Sequence, residues 1–319
     1  VPTITDVARR AGVSTATVSR TLNGKSTVDP MLAGRVREAA EELGYHPNGL
    51  ARNLRRQETA VLALIISDVE NPFFTAIARG VEDTAQTAGY SVVLCNSDEN
   101  PEKERRYIDI ALQERVAGVV LSPTDASSSI ARLRGTPVVA VDRPLSDCDQ
   151  VLVDSRRAAR EATEHLIGNG YARIGCITGP TGVRTADDRL AGYRDAVGGA
   201  SPLERRAEYR AGGGRRAAEE LLACSPDALL VGNSSMAVGV LEALGKAGLR
   251  SGRDVGVVAF DDAPWATLID PPLTVIAQPA REIGAEAARL LLARIAEPDR
   301  PPVATTLRAH LIERGSSRK

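Results

Sequence analysis

Seven short aliphatic runs between residues 61 and 260 constrain this chain more than any other feature. They are Val61-Leu-Ala-Leu-Ile-Ile66, Ser91-Val-Val-Leu-Cys95, Ala117-Gly-Val-Val-Leu121, Pro137-Val-Val-Ala-Val141, Ile174-Gly-Cys-Ile177, Ala228-Leu-Leu-Val231 and Val255-Gly-Val-Val-Ala-Phe260. Apolar residues that run on without alternating indicate strands covered on both faces, as in parallel sheets. Stretches of helical character separate them, for example 74–88, 102–113, 156–168, 212–223 and 237–248. Alternation of this kind builds right-handed βαβ units and an α/β class. The pattern alone fits one large sheet or two. With 319 residues the chain suits a small domain plus a two-part larger one, and aromatics at 3% leave aliphatic side chains to fill the core.

The first sixty residues have a different texture. Thr5 is positioned to cap a short helix with Val7, Ala8 and Ala11 on its apolar face, and Gly12 permits a tight turn. Ser14 then precedes a second helix that carries Val18 and Leu22. Two short helices around a glycine turn make a helix-turn-helix, whose second helix enters the DNA major groove. The exposed side of that helix supports the reading, because Thr15, Ala16, Ser19, Arg20 and Asn23 are short or hydrogen-bonding where a solvated helix usually carries Glu and Lys. Asp29-Pro30 starts a third helix, with Leu32, Val36, Ala39, Ala40 and Leu43 at helical spacing, and Gly44 ends it. Residues 1–56 hold nine Lys/Arg against five acids, +4, and the remainder holds 31 against 36, −5. A basic head on an acidic body suits phosphate contacts, which supply most non-specific DNA affinity.

The run from Thr5-Asp-Val-Ala through Gly12-Val-Ser, Thr17-Val-Ser-Arg and Leu22-Asn-Gly resembles the opening of the LacI/GalR family of transcriptional repressors, as does Leu43-Gly-Tyr-His-Pro-Asn48. The resemblance extends over essentially the whole chain. It implies a helix-turn-helix domain at 1–46, a hinge helix and linker at 47–59, and an effector-binding and dimerisation core at 60–319. The core is implied to be periplasmic-binding-protein-like, with two Rossmann-like subdomains and three chain crossings. The first would take about 60–155 and 279–304, the second about 156–278 and 305–319. In the hinge, Leu54 falls where the family wedges a leucine between base pairs, with Arg52, Arg55 and Arg56 on phosphates. The DNA-contacting set that the resemblance implies is Thr5, Ser14, Thr15, Ala16, Thr17, Ser19, Arg20, Asn23, Thr27, Asn48, Ala51, Arg52, Leu54 and Arg55.

In open α/β sheets ligands bind beyond the carboxyl ends of the strands, and the effector residues are expected there. Asn71-Pro-Phe-Phe74 follows the first run and matches a family loop. Phe73 and Phe74 are read as a cleft wall rather than plain core. Asp142-Arg143 follows the fourth run and is read as an effector contact rather than a surface ion pair. Arg189, in a stretch led by the loop from Gly179-Pro180, offers guanidinium donors suited to hydroxyls or a carboxylate. Asn233, Asp261 and Gln278 complete the set. Where the family usually has Asn-Asp, this chain has Asn233-Ser234, which bears on the ligand it selects.

Enzyme chemistry finds no foothold. Gly232-Asn-Ser-Ser-Met236 lacks the second glycine of a nucleophile elbow, Gly212-Gly-Gly-Arg lacks the rest of a P-loop, and His46, His165 and His310 have no metal-ligand spacing. Four separated cysteines, without CxxC, fit unpaired thiols in a reducing compartment. The opening residues carry no basic-then-apolar signal and no run approaches membrane-spanning length. The expectation is a cytoplasmic, ligand-responsive repressor with no cofactor or metal. It would bind a near-palindromic double-stranded operator as a homodimer and respond to a sugar or related metabolite. The alternatives are a solute-binding protein of a transport system and a ligand-independent DNA-architectural protein.

Overall fold

In a computed structural model of the chain, residues 2–22, 28–45, 59–124, 129, 131–133, 135–198 and 202–319 are described. They divide into two units, Val1–Thr59 and Ala60–Lys319.

The first unit holds α1 (Ile4–Ala11), α2 (Thr15–Leu22) and α3 (Pro30–Glu42). Thr3, not Thr5, caps α1. The Thr3 hydroxyl accepts from the Asp6 amide at 3.3 Å and Asp6 Oδ2 accepts from the Thr3 amide at 2.9 Å. This reciprocal box needs an acid three residues after the cap, and Thr5 has no such partner. Gly12 ends α1 at φ 64°, a left-handed turn that glycine adopts freely. Ser14 Oγ accepts from the Thr17 amide at 3.1 Å and so starts α2. Asp29 caps α3, with Pro30 in its first turn. Val7, Ala8, Ala11, Val18, Val36, Ala39 and Ala40 form one small core.

The second unit contains two six-stranded sheets. In the first, β1 (Val61–Ile66), β2 (Ser91–Asn96), β3 (Gly118–Leu121), β4 (Val138–Val141), β5 (Asp149–Val153) and β11 (Ala304–Leu307) run in the order β11-β5-β4-β3-β1-β2, and every pairing is parallel. In the second, β6 (Ile174–Thr178), β7 (Leu203–Arg206), β8 (Ala228–Val231), β9 (Gly256–Phe260), β10 (Thr274–Ala277) and β12 (His310–Ile312) run in the order β12-β10-β9-β8-β6-β7. Only the β10–β12 pair is antiparallel.

Around the first sheet lie α4 (Pro72–Thr87), α5 (Pro101–Gln113) and α10 (Ala280–Ala296); around the second lie α6 (Ser155–Gly168), α7 (Arg184–Val197), α8 (Ala211–Leu222) and α9 (Ser234–Lys246). The chain passes between sheets after β5, after β10 and after β11. The last passage lies between Leu307 and His310, past the boundary expected at 304, because Thr305–Leu307 still pair with β5. The return helix α10 packs on α4 backbone to backbone. A Cβ on Gly284 would lie 2.0 Å from the Ile77 carbonyl oxygen, and one on Gly80 would lie 2.1 Å from that of Arg281. Among the described residues no helix is long and apolar enough to cross a membrane.

Candidate functional site: a cleft at the facing strand ends

The carboxyl ends of both sheets contribute to one small cleft. Residues just past β1, β2 and β4 (Asp68, Asn71, Glu99, Asp142, Arg143) meet residues just past β8, β9 and β10 (Asn233, Asp261, Gln278). Phe73 and Phe74 of α4, Thr185 and Arg189 of α7, and Tyr209 at the approach to α8 complete the lining. All nine expected effector residues therefore line a single cleft. Its interior has room for about 20 Å³, roughly one water. A wider open groove of about 540 Å³ adjoins it between Phe73, Asp261 and Gln278.

Local structure sets each side chain. Asn71 and Asn233 turn their side-chain oxygens to helix N-termini, accepting from the Phe73 amide at 3.0 Å and the Met236 amide at 2.8 Å. The Asn71 side chain also hydrogen-bonds the Asp261 carboxylate. Phe73 and Phe74 begin helix α4 rather than standing in a loop. Their rings meet edge to face at 5.1 Å and also belong to the buried core under β1, so they act as wall and core together. Asp142 and Asp261 occupy equivalent places after β4 and β9, both in the left-handed region at φ 65° and 72°. Such a conformation turns the chain sharply at the strand end and aims the carboxylate inward. It costs on the order of 1 kcal/mol per non-glycine residue and persists where the surroundings hold it.

The charges are arranged as two buried sets. Arg143 makes a two-pronged ion pair, with Nη1 donating to Glu99 Oε2 at 2.8 Å and Nη2 to Oε1 at 2.5 Å, and Nε lies 3.5 Å from Asp142. Burial opposes the Arg143 charge, yet Glu99 and Asp142 outweigh it and hold the guanidinium pKa above its ordinary value. A surface ion pair is thus replaced by a buried one. Arg189 projects from helix α7, not from a loop. Its Nη1 donates to the Gly232 carbonyl at 2.5 Å and its guanidinium lies 4.2 Å over the Phe260 ring. Asp261 accepts from Gln278 at 2.7 Å. Burial pushes the Asp261 carboxyl upward despite Arg189 and Gln278, and Asp142 rises for the same reason. Ser234, in place of the family's acid, reaches Asn71 across the cleft at 3.5 Å.

Asp68, Glu99, Thr185 and Tyr209 were not among the expected residues. Tyr209 is buried, with Thr185 beside its hydroxyl, and it faces Arg143, Arg189 and Asp142. Gly179 makes room for it, since a Cβ there would meet the Tyr209 ring at 2.3 Å. The sequence signal was the lone aromatic just past Leu203–Arg206, a polar edge strand that no apolar run marked. In the first unit, Thr5, Ser14, Thr15, Ala16 and Arg20 are exposed, and Thr17 and Ser19 are half-buried. Asn23, Thr27, Asn48, Ala51, Arg52, Leu54 and Arg55 lie outside the described residues, as does the expected hinge helix.

A helix-turn-helix unit followed by a two-sheet core with a polar cleft defines a ligand-responsive DNA-binding architecture. Residues 3–48 match the model for bacterial regulatory proteins of the lacI family, and residues 163–317 match the periplasmic binding protein-like domain. The chain is 37% identical to the ribose operon repressor of Escherichia coli and 34% identical to CytR of the same organism. The former alignment covers 99% of both chains, the latter 99% of this chain and 96% of the relative. Among solved structures it is similar to the Lac repressor dimer bound to operator and the anti-inducer ONPF, at TM-score 0.89 and 28% identity, over 100% of this chain and 99% of that one. It is also similar to the CelR–cellobiose complex, at TM-score 0.74 and 32% identity, over 99% and 100%. A LacI family regulator from Enterococcus faecium with bound ribose aligns at TM-score 0.74 and 25% identity, over 81% and 98%. The chain belongs to the lacI family of transcriptional repressors.

Proposed function

We propose that this repressor binds a near-palindromic operator as a homodimer and that a small carbohydrate, held between its two subdomains, controls its operator affinity. The observation that carries the reading is the convergence of Asn71, Asp142, Arg143, Arg189, Asn233, Asp261 and Gln278, from both sheets, on one cleft. Phe73 and Phe74 supply the apolar surface that a sugar ring face requires, and the polar groups supply hydroxyl partners. Relatives named for ribose control, and neighbours holding ribose or cellobiose, support a sugar.

The first unit contributes Ser14, Thr15, Ala16, Thr17, Ser19 and Arg20 to base and phosphate contacts. The partner subunit pairs against edge strand β2, where Val93 and Leu94 are about half exposed at 51% and 44%. Coupling follows from linkage: a ligand that prefers one arrangement of the two subdomains biases the state in which two heads fit DNA. A full reversal from 1:99 to 99:1 requires ~5.5 kcal/mol of preference. This is binding work in the cytoplasm, without catalysis, cofactor or metal.

The test is operator binding by fluorescence anisotropy, with and without a panel of pentoses and hexoses. A sugar that shifts operator affinity at least tenfold and raises the melting temperature is expected. A panel in which no sugar alters either quantity would remove the effector role from the cleft.

A further inference from the structure

We infer that Arg210 is an ionic latch across the cleft and that ionic strength sets how often the two subdomains part. The latch is independent of which ligand the cleft takes; its consequence for effector access rests on the cleft being the effector site. Arg210 stands at the start of α8, in the second subdomain. Its guanidinium reaches three acids of the first: Glu70 at 3.1 Å, Asp98 at 3.3 Å and Asp68 at 3.7 Å. Among the described residues no acid of its own subdomain pairs with it. Neighbouring arginines behave differently. Arg205 pairs with Glu220, Arg206 with Asp187 and Arg216 with Glu208, all within the second subdomain. A guanidinium whose ionic partners all lie across a cleft holds the cleft shut rather than its own subdomain together.

The receiving side is ordered in advance. Asp68 and Asp98 lie just past β1 and β2, and Asp68 accepts from the Glu70 amide at 2.9 Å. Asp98 accepts from the Asn96 side chain at 2.9 Å and pairs with Lys103 at 2.5 Å. Asn96 in turn accepts from the Val69 amide at 3.2 Å, which ties the two loops together. Burial pushes the Asp68 carboxyl upward, and the Glu70 amide and Arg210 oppose that. An isolated exposed ion pair contributes little, but carboxylates already braced around one cation form the kind of network that does.

Other contacts across the cleft respond little to salt. Asn71 hydrogen-bonds Asp261, and Ser234 reaches Asn71 at 3.5 Å, without a cation. Arg189 faces Asp142, but both side chains are buried, where dissolved ions screen weakly. Arg210, Glu70 and Asp98 are exposed, so the latch is the part of the closure that ions reach. With these contacts made the cleft has room for about 20 Å³, too little for a sugar ring. Access to it therefore requires Arg210 to let go, and ionic strength becomes an input to how readily an effector enters.

The experiment reads opening in the full chain with no ligand added. Thr185→Cys places a thiol in the cleft wall at a buried position, and its rate of labelling by iodoacetamide, resolved by peptide mass spectrometry, follows the open fraction. Cys176, buried in β6, is labelled only on unfolding and serves as the internal control. In about 50 mM NaCl, adding Arg210→Gln should speed labelling of the introduced thiol about threefold to tenfold and leave Cys176 unchanged. Helix α8 keeps its start, because Arg210 gives it no side-chain cap. Glu70→Gln/Asp98→Asn, made on the other side of the cleft, should give most of that acceleration. Joined to Arg210→Gln it should add nothing beyond Arg210→Gln alone. Raising salt to about 500 mM should bring the protein that keeps Arg210 toward the variants and leave the variants where they are. Equal labelling with and without Arg210 overturns the latch, as do accelerations that multiply when the two sets are combined. Cys176 rising in step with the introduced thiol assigns the change to unfolding and overturns it too. An acceleration that salt does not reproduce overturns the control by ionic strength.

Discussion

Asp261 offers a sharp test, because its backbone and its charge make opposite demands on a substitution. It stands at φ 72°, accepts from Gln278 at 2.7 Å and is 5% exposed. Alanine would pay about 1–2 kcal/mol for the left-handed backbone and about 1–3 kcal/mol for stranding the Gln278 amide. At roughly 2–4 °C per kcal/mol, Asp261→Ala should melt some 5–15 °C lower.

Asparagine tolerates the left-handed region and keeps an oxygen for Gln278. It also removes a carboxylate that burial penalises more than Arg189 and Gln278 stabilise it. Asp261→Asn should therefore melt at or above the parent at pH 7. The sign with pH follows from a folded pKa raised above its ordinary value of 3.8. The penalty appears as pH rises through the folded pKa and is absent below the unfolded one, so the advantage of Asn should fade as pH falls toward 3.8. Both variants should lose the sugar-induced rise in melting temperature. Calorimetry at several pH values, with and without sugar, reads all of this. An Asn variant as unstable as the Ala variant, or one that still responds fully to sugar, would refute the reasoning.

Other outcomes test other links. Arg20→Ala should weaken operator binding by about 1–3 kcal/mol if it forks onto a guanine, and an equal loss on random DNA would reduce Arg20 to a phosphate contact. Leu94→Glu places a charge on the exposed edge of β2 and should convert a dimer to monomer by light scattering. A surviving dimer would move the interface elsewhere. Gly284→Ala puts a Cβ 2.0 Å from the Ile77 carbonyl. It should cost about 1–3 kcal/mol in denaturant titration, and an unchanged midpoint would show that α4 and α10 can part without penalty.

The fold was legible where burial left a mark on composition. Each of the seven aliphatic runs coincides with an observed strand; six are covered on both faces, where strands must be continuously apolar, and the seventh, β2, is a partly exposed edge strand. The strands without such a mark are at or near the sheet edges. Asp149–Val153, next to the edge, carries Gln and an Asp149 buried against Arg294, and the edge strand Leu203–Arg206, which packs on fewer neighbours, carries three charges in four residues. The count of sheets was beyond the pattern, because periodicity reports what surrounds a strand and not which strand stands beside it. The Thr5 cap failed for a local reason: Thr3 and Thr5 are both capable, and only the position of Asp6 decides between them.

The site divides along a similar line. Asp142, Asn233 and Asp261 stand at the first or second residue after an apolar run, so strand-end logic reaches them directly. Arg189 and Tyr209 do not. Arg189 enters the cleft from the middle of a helix, and only the motif around it pointed there. Tyr209 follows a strand that is polar, and its place beside Arg143 and Arg189 depends on the missing side chain at Gly179, thirty residues earlier in the chain. A contact made possible by an absent Cβ leaves nothing in the spacing of the residues that make it. That is why Tyr209, buried beside Arg143 and Arg189 with the cleft in front of it, is the lining residue least visible in the sequence.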